Sequence, residues 1–132
     1  MPISTSPILS VSAFIFGTIF LGFGAQYILD PRAAFQNFSP NLKYPALPAD
    51  AHVMDLVMTL FGAKDLFMGF AIHASLWFGT RRSLGLILVA AAMCAGIDGY
   101  VMKTGVGTGE WNHWGYGSAV AVTGLLELGL LG

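Results

Sequence analysis

Four apolar stretches, at positions 8–29, 52–78, 84–102 and 114–131, take up most of this chain and leave few ways for it to fold. A bilayer core of ~30 Å calls for about 20 helical residues at 1.5 Å each, and each stretch approaches or exceeds that length. In hydrocarbon every backbone N–H and C=O must find its partner inside the protein, which a helix achieves alone. The predicted fold is therefore all-α: an integral membrane bundle of four transmembrane helices, up-down-up-down, forming one domain over residues 1–132. Composition agrees, because 55% hydrophobic residues, 10% charged residues and a mean hydropathy of +0.70 leave too few polar groups to solvate a compact domain in water.

The connections differ in kind. Residues 30–50 hold Pro31, Pro40, Pro45 and Pro48, so they cannot form one continuous helix and read as a long loop or lid. Residues 79–83 form a short turn with Arg81 and Arg82, whereas 104–112 is glycine-rich and ends at Asn112, the predicted N-cap of the last helix. The paired arginines place both termini in the cytosol by the positive-inside rule, with the lid and the glycine-rich loop together on the far side, lumenal in the endoplasmic reticulum. The N-terminus has no basic region ahead of its long apolar run, so the first span is expected to remain rather than be cleaved. Glycines recur at 17 and 24, 62 and 69, and 117 and 124; such stripes let membrane helices approach closely and suit a homo-oligomer as well as a monomer.

Several classes drop out. A net charge of -1, with scattered Lys and Arg, offers no basic surface for nucleic acid. The single cysteine, Cys94, has no internal partner and reads as a small core residue. There is no Walker loop, dinucleotide fingerprint or nucleophile elbow. His52, His73 and His113 fall at different depths without ligand spacing, so no metal is expected.

The ionisable residues inside the apolar spans carry the functional signal, because each costs about 2.5–3.5 kcal/mol even on a lenient insertion scale and so turns toward the bundle interior. Asp55, Asp98 and His113 come from three helices and reach one level at the lid side. Trp111, Trp114, Tyr100 and Tyr116 are placed to wall a substrate pocket there. Each residue also has a structural reading: Asp98 in an ion pair with Lys103 or Lys64, Asp55 solvated near a helix start, His113 in an interfacial aromatic belt. Lys64 and Asp65, adjacent in mid-span, need partners, with Thr59, Gln26 and Tyr27 as candidates. His73 and Glu127 lie toward the other end, where an ion-pair network with Arg81 and Arg82 is expected.

The stretch Phe61-Gly62-Ala63-Lys64-Asp65-Leu66-Phe67-Met68-Gly69, the step Ile97-Asp98-Gly99 and His113 opening the last helix resemble the DoxX-like group of small four-helix membrane proteins, and within it an uncharacterised fungal family. The likeness spans nearly the whole chain. It implies an association with secondary metabolism and a lipophilic polyketide or terpenoid substrate. Relatives in the wider group often carry arginine where this chain has Lys64, so transfer is confined to Asp65, Asp98 and His113.

The leading expectation is a membrane-embedded, cofactor-independent acid–base enzyme that isomerises, cyclises or hydrolytically opens a lipophilic small molecule. Asp98 would be the general acid, with Asp55 or His113 as base or relay, and Asp65 in the same polar group. The rivals are a non-catalytic carrier or assembly subunit, with membrane lipid as its surroundings, and a proton or ion path through Asp55, Asp65, Asp98 and Glu127.

Overall fold

A computed structural model describes residues 5–131. Helix α1 (Pro7–Leu29) starts where Ser6 accepts the Ile8 N–H at 3.3 Å and Pro7 supplies a preset φ. Asp30 ends it and at once caps α2 (Pro31–Phe38), its Oδ1 accepting the Ala33 N–H at 3.1 Å. The first part of the predicted loop is therefore a short helix, set by the Asp30-Pro31 pair, and only the stretch after it is irregular.

Helix α3 (Pro48–Phe78) begins at Pro48 rather than at 52. Helix α4 (Arg81–Val101) begins at 81 rather than 84, because Thr80 and Ser83 cap one another reciprocally. It runs into a π turn (Met102–Val106) whose first two carbonyls, on Met102 and Lys103, accept the Gly107 N–H at 3.0 and 3.1 Å. Gly107 and Gly109 then adopt φ of +82° and +94°, a left-handed path that glycine takes without strain. Helix α5 (Glu110–Glu127) is displaced from the predicted 114–131, with Gly109 rather than Asn112 at its N-cap; Asn112 lies inside the first turn.

Three helices, α1, α3 and α4 with its π extension, are long and apolar enough to cross a membrane. Helix α5 is not one of them, since it opens with Glu110, Asn112 and His113 and closes with Glu127. Burial is inverted relative to a water-soluble protein: on α3, Leu60 and Phe67 are 71% and 72% exposed while Asp65 and His73 are 7%. An apolar outside around a polar inside suits hydrocarbon, and the chain is a helical membrane protein.

Glycine sets how the helices meet. A Cβ on Gly62 would lie 2.7 Å from the Gly24 carbonyl, and one on Gly69 would lie 2.8 Å from that of Gly17. The predicted stripes of α1 and α3 thus face each other, with the helices antiparallel. Helices α4 and α5 approach as closely, a Cβ on Gly124 falling 2.9 Å from the Gly85 carbonyl. Between the two pairs lies a core of Phe20, Met68, Ile72, Leu88 and Val120, and a second cluster of Tyr27, Ala34, Phe35 and Met58 seats α2.

Candidate functional site

Lys64 on α3 reaches across to α4, its Nζ 2.9 Å from Asp98 Oδ2, 3.9 Å from Asp65 Oδ1 and 4.0 Å from the centroid of the Phe61 ring. Of the two lysines open to Asp98, it is Lys64 that pairs, because Lys103 is bound to Glu110 at 2.9 Å across the π turn. Of the other candidate partners, Tyr27 lines the same cavity as Asp65, and two turn elsewhere. Gln26 accepts from Asn37 at 3.2 Å, and Thr59 donates to the Asp55 carbonyl at 2.9 Å.

Asp65 and Asp98 stand on the wall of a cavity of about 240 Å³ lined by all five helices. Helix α1 contributes Phe20, Phe23 and Tyr27, α2 contributes Asn37 and Phe38, and α5 contributes Asn112, His113 and Tyr116. The His113 ring packs on Phe38 at 4.7 Å, and the Tyr116 ring meets Phe20 edge-on at 5.5 Å. Aromatic contacts therefore fix both side chains while leaving one polar atom of each unused. The buried Nε2 of His113 and hydroxyl of Tyr116 have no hydrogen-bond partner among the described residues. Native proteins seldom leave buried polar atoms unpaired, so a polar group seated in the cavity would complete them.

The expected trio of Asp55, Asp98 and His113 is replaced by Asp65, Asp98 and His113. Asp55 turns toward the loop and accepts from the Tyr44 hydroxyl, whose ring sits edge-on to Phe35 at 5.3 Å and 5.5 Å from the Arg32 guanidinium. Burial, with the Asp55 carboxylate, pushes the Tyr44 hydroxyl up to about 12. Of the four aromatic residues proposed as pocket walls, Tyr116 alone lines this cavity. Tyr100 and Trp111 are 62% and 72% exposed, each two residues and thus about 200° from a cavity residue, Asp98 or His113. Trp114 donates its Nε1–H to the Gly96 carbonyl at 3.1 Å and lines an outer groove between α4 and α5.

At the opposite end Glu127 is fully buried and accepts from Arg81 at 3.2 Å, as the expected ion-pair network requires. His73 stays out of that network: Nδ1 lies 2.8 Å from the Gly69 carbonyl and Nε2 lies 3.4 Å from Thr18. His52 is exposed, and among the described residues no three His, Cys, Asp or Glu side chains converge as metal ligands would.

Asn37, Phe38, Phe20 and Phe23 are cavity residues that sequence reasoning missed. The signal for the first two was Asp30-Pro31, a cap followed by proline at the first helical position, which marks a helix bringing them over the cavity.

A family model described as Domain of unknown function (DUF4267) matches residues 17–127, from within α1 to the end of α5. No curated protein and no solved structure matches the chain.

Proposed function

The chain belongs to this family, DUF4267, which brings no activity with it, and on that premise we propose that the cavity is a proton-transfer site for a lipophilic small molecule. The observation that carries the reading is the pair of buried, unpartnered polar atoms on His113 and Tyr116, in a cavity whose wall also holds Asp65 and Asp98. Lys64 donates to Asp98 at 2.9 Å, and a proton passed along that bond can be delivered from Asp98 to the cavity. His113 and Asp65 are placed to receive one, and the Tyr116 hydroxyl can donate to charge that develops on oxygen.

Isomerisation or cyclisation returns at one atom the proton taken at another, and hydrolytic ring opening adds one water. Neither changes oxidation state, so in this reading the reaction needs no cofactor. Helix α5 completes a four-helix, up-down-up-down transmembrane bundle, with its polar first turn at the interface beside α2. The endoplasmic reticulum, a polyketide or terpenoid substrate and a place in fungal secondary metabolism belong to the same proposal and rest on the DoxX-like resemblance. A proton path through the bundle is disfavoured by the layer of Ile72, Leu88 and Val120, each 0% exposed, near the middle of the bundle.

The test is product analysis in a fungal host that supplies lipophilic polyketide or terpenoid intermediates, comparing wild type with Asp98→Asn and His113→Gln. We expect a product that depends on the wild-type chain and falls by about 10²–10⁴ in each variant while the protein still accumulates. Full turnover in Asp98→Asn would remove that residue from the mechanism. Absence of product from every substrate, with folded protein, would favour the carrier or assembly-subunit reading.

A further inference from the structure

The charges around the cavity do not balance, and the imbalance identifies what the cavity is built to hold. One ammonium, on Lys64, stands between two carboxylates. It is committed to Asp98 at 2.9 Å and to the face of Phe61 at 4.0 Å. Asp65 receives only a contact at 3.9 Å, beyond hydrogen-bonding range. Yet Asp65 is 7% exposed, faces the cavity and accepts no side-chain hydrogen bond among the described residues. A buried carboxylate so poorly matched is costly in hydrocarbon unless a second cation reaches it.

The rest of the lining points the same way. Six aromatic rings border the space, and ring faces attract cations, more strongly where water is excluded. The unpartnered polar atoms are acceptors: the Tyr116 oxygen always, and His113 Nε2 when the ring proton is on Nδ1. Together with an Asp65 oxygen they match the three N–H donors of a primary ammonium. We infer that the cavity recognises a positively charged centre on a compact hydrocarbon body, a protonated lipophilic amine or a substrate that becomes cationic as it reacts. A cavity of about 240 Å³ takes a small cage or ring, or the terminal ring of a longer chain whose remainder stays in the bilayer.

This inference rests on the cavity being the ligand site of the proposed function, but not on turnover. The probes are 1-aminoadamantane and its near-isostere 1-adamantanol, titrated onto the purified full chain in detergent at neutral pH and read by calorimetry. The amine should bind at least tenfold more tightly than the alcohol. Asp65→Asn should erase the difference by weakening the amine alone, and Tyr100→Phe, on the outward face, should preserve it. Equal binding, binding of neither probe, or a preference that survives in Asp65→Asn would overturn the inference. The wild-type comparison decides even where Asp65→Asn fails to fold. Amine preference without product in the fungal host would retire the enzyme and leave this site standing; product from a neutral substrate without amine preference would do the reverse.

Discussion

The bundle contains two kinds of seam. Along α1 and α3, and along α4 and α5, glycines bring backbone against backbone: Gly24 to Gly62, Gly17 to Gly69 and Gly85 to Gly124. Between the two pairs the helices are held apart by rings, Phe20 and Phe16 against Tyr116 and Phe38 against His113. The glycine seams gain dispersion and close backbone contact where the glycines meet. The aromatic seam gives up that close packing, and the cavity with its charged wall lies where it does. Membrane helices have no hydrophobic drive toward one another, so a gap survives only if tight seams elsewhere hold the bundle together.

The largest effect should come from breaking a glycine seam. Gly62→Leu puts a Cβ 2.7 Å from the Gly24 carbonyl and 3.0 Å from the Tyr27 Cβ, and a backbone carbonyl cannot swing aside as a side-chain tip can. The helices must separate, at a cost of about 3 kcal/mol or more. Thermal unfolding in detergent should show a lower midpoint or no folded protein. The control is Gly96→Ala, where nothing lies within 4 Å of the added methyl and the midpoint should hold or rise. Equal behaviour of the two variants would mean that the seams do not carry the bundle.

The two seams were not equally legible in the sequence. Stripes at 17/24 and 62/69 predicted close packing, and they meet because a heptad spacing keeps both glycines of a pair on one helix face. The aromatic seam depends on rotation and depth, which shift with helix boundaries. Starts at 52 for α3 and 114 for α5 put Asp55 level with Asp98 and turn Trp111, Trp114 and Tyr116 inward; with the observed starts at Pro48 and Glu110, Tyr116 alone of the three lines the cavity. Asp65, Asp98 and His113 are recognisable from the expense of burying them, and Tyr116 as one of four aromatic rings near them. The ion pair of Lys64 with Asp98, 34 residues apart, was one of two pairings left open, and only the cross-bundle geometry decides between them.

A smaller effect should follow from disturbing the charge at the aromatic seam. Lys64→Met removes the cation and leaves Asp65 and Asp98 facing each other's charge across the cavity wall, with an expected cost of about 2 kcal/mol, moderated by the 30% exposure of the lysine side chain. Adding Asp98→Leu to the same chain should recover much of that loss, because the second substitution removes the carboxylate the first had orphaned. A double-mutant cycle in unfolding free energy measures the coupling. Additive losses would show that the pair contributes nothing as a pair and would weaken the charge argument for the cavity.

The smallest effect belongs to the edge of the site, where Tyr44 donates to Asp55 and fastens the loop after α2 to α3. Tyr44→Phe keeps the ring against Phe35 and removes only the hydroxyl, so the two proteins should differ slightly in midpoint and not at all in amine binding. The pH dependence gives the sign. The folded-state value of about 12 lies above the ordinary 10, so the hydroxyl's contribution is fully present below pH 10 and is lost as pH rises through 12. Wild type and variant should therefore keep a constant gap from neutral pH to about 10 and converge above it. A gap that widened above pH 10 would mean that the phenolate is the favoured partner in the fold, and a loss of amine binding in the variant would place Asp55 back in the ligand site.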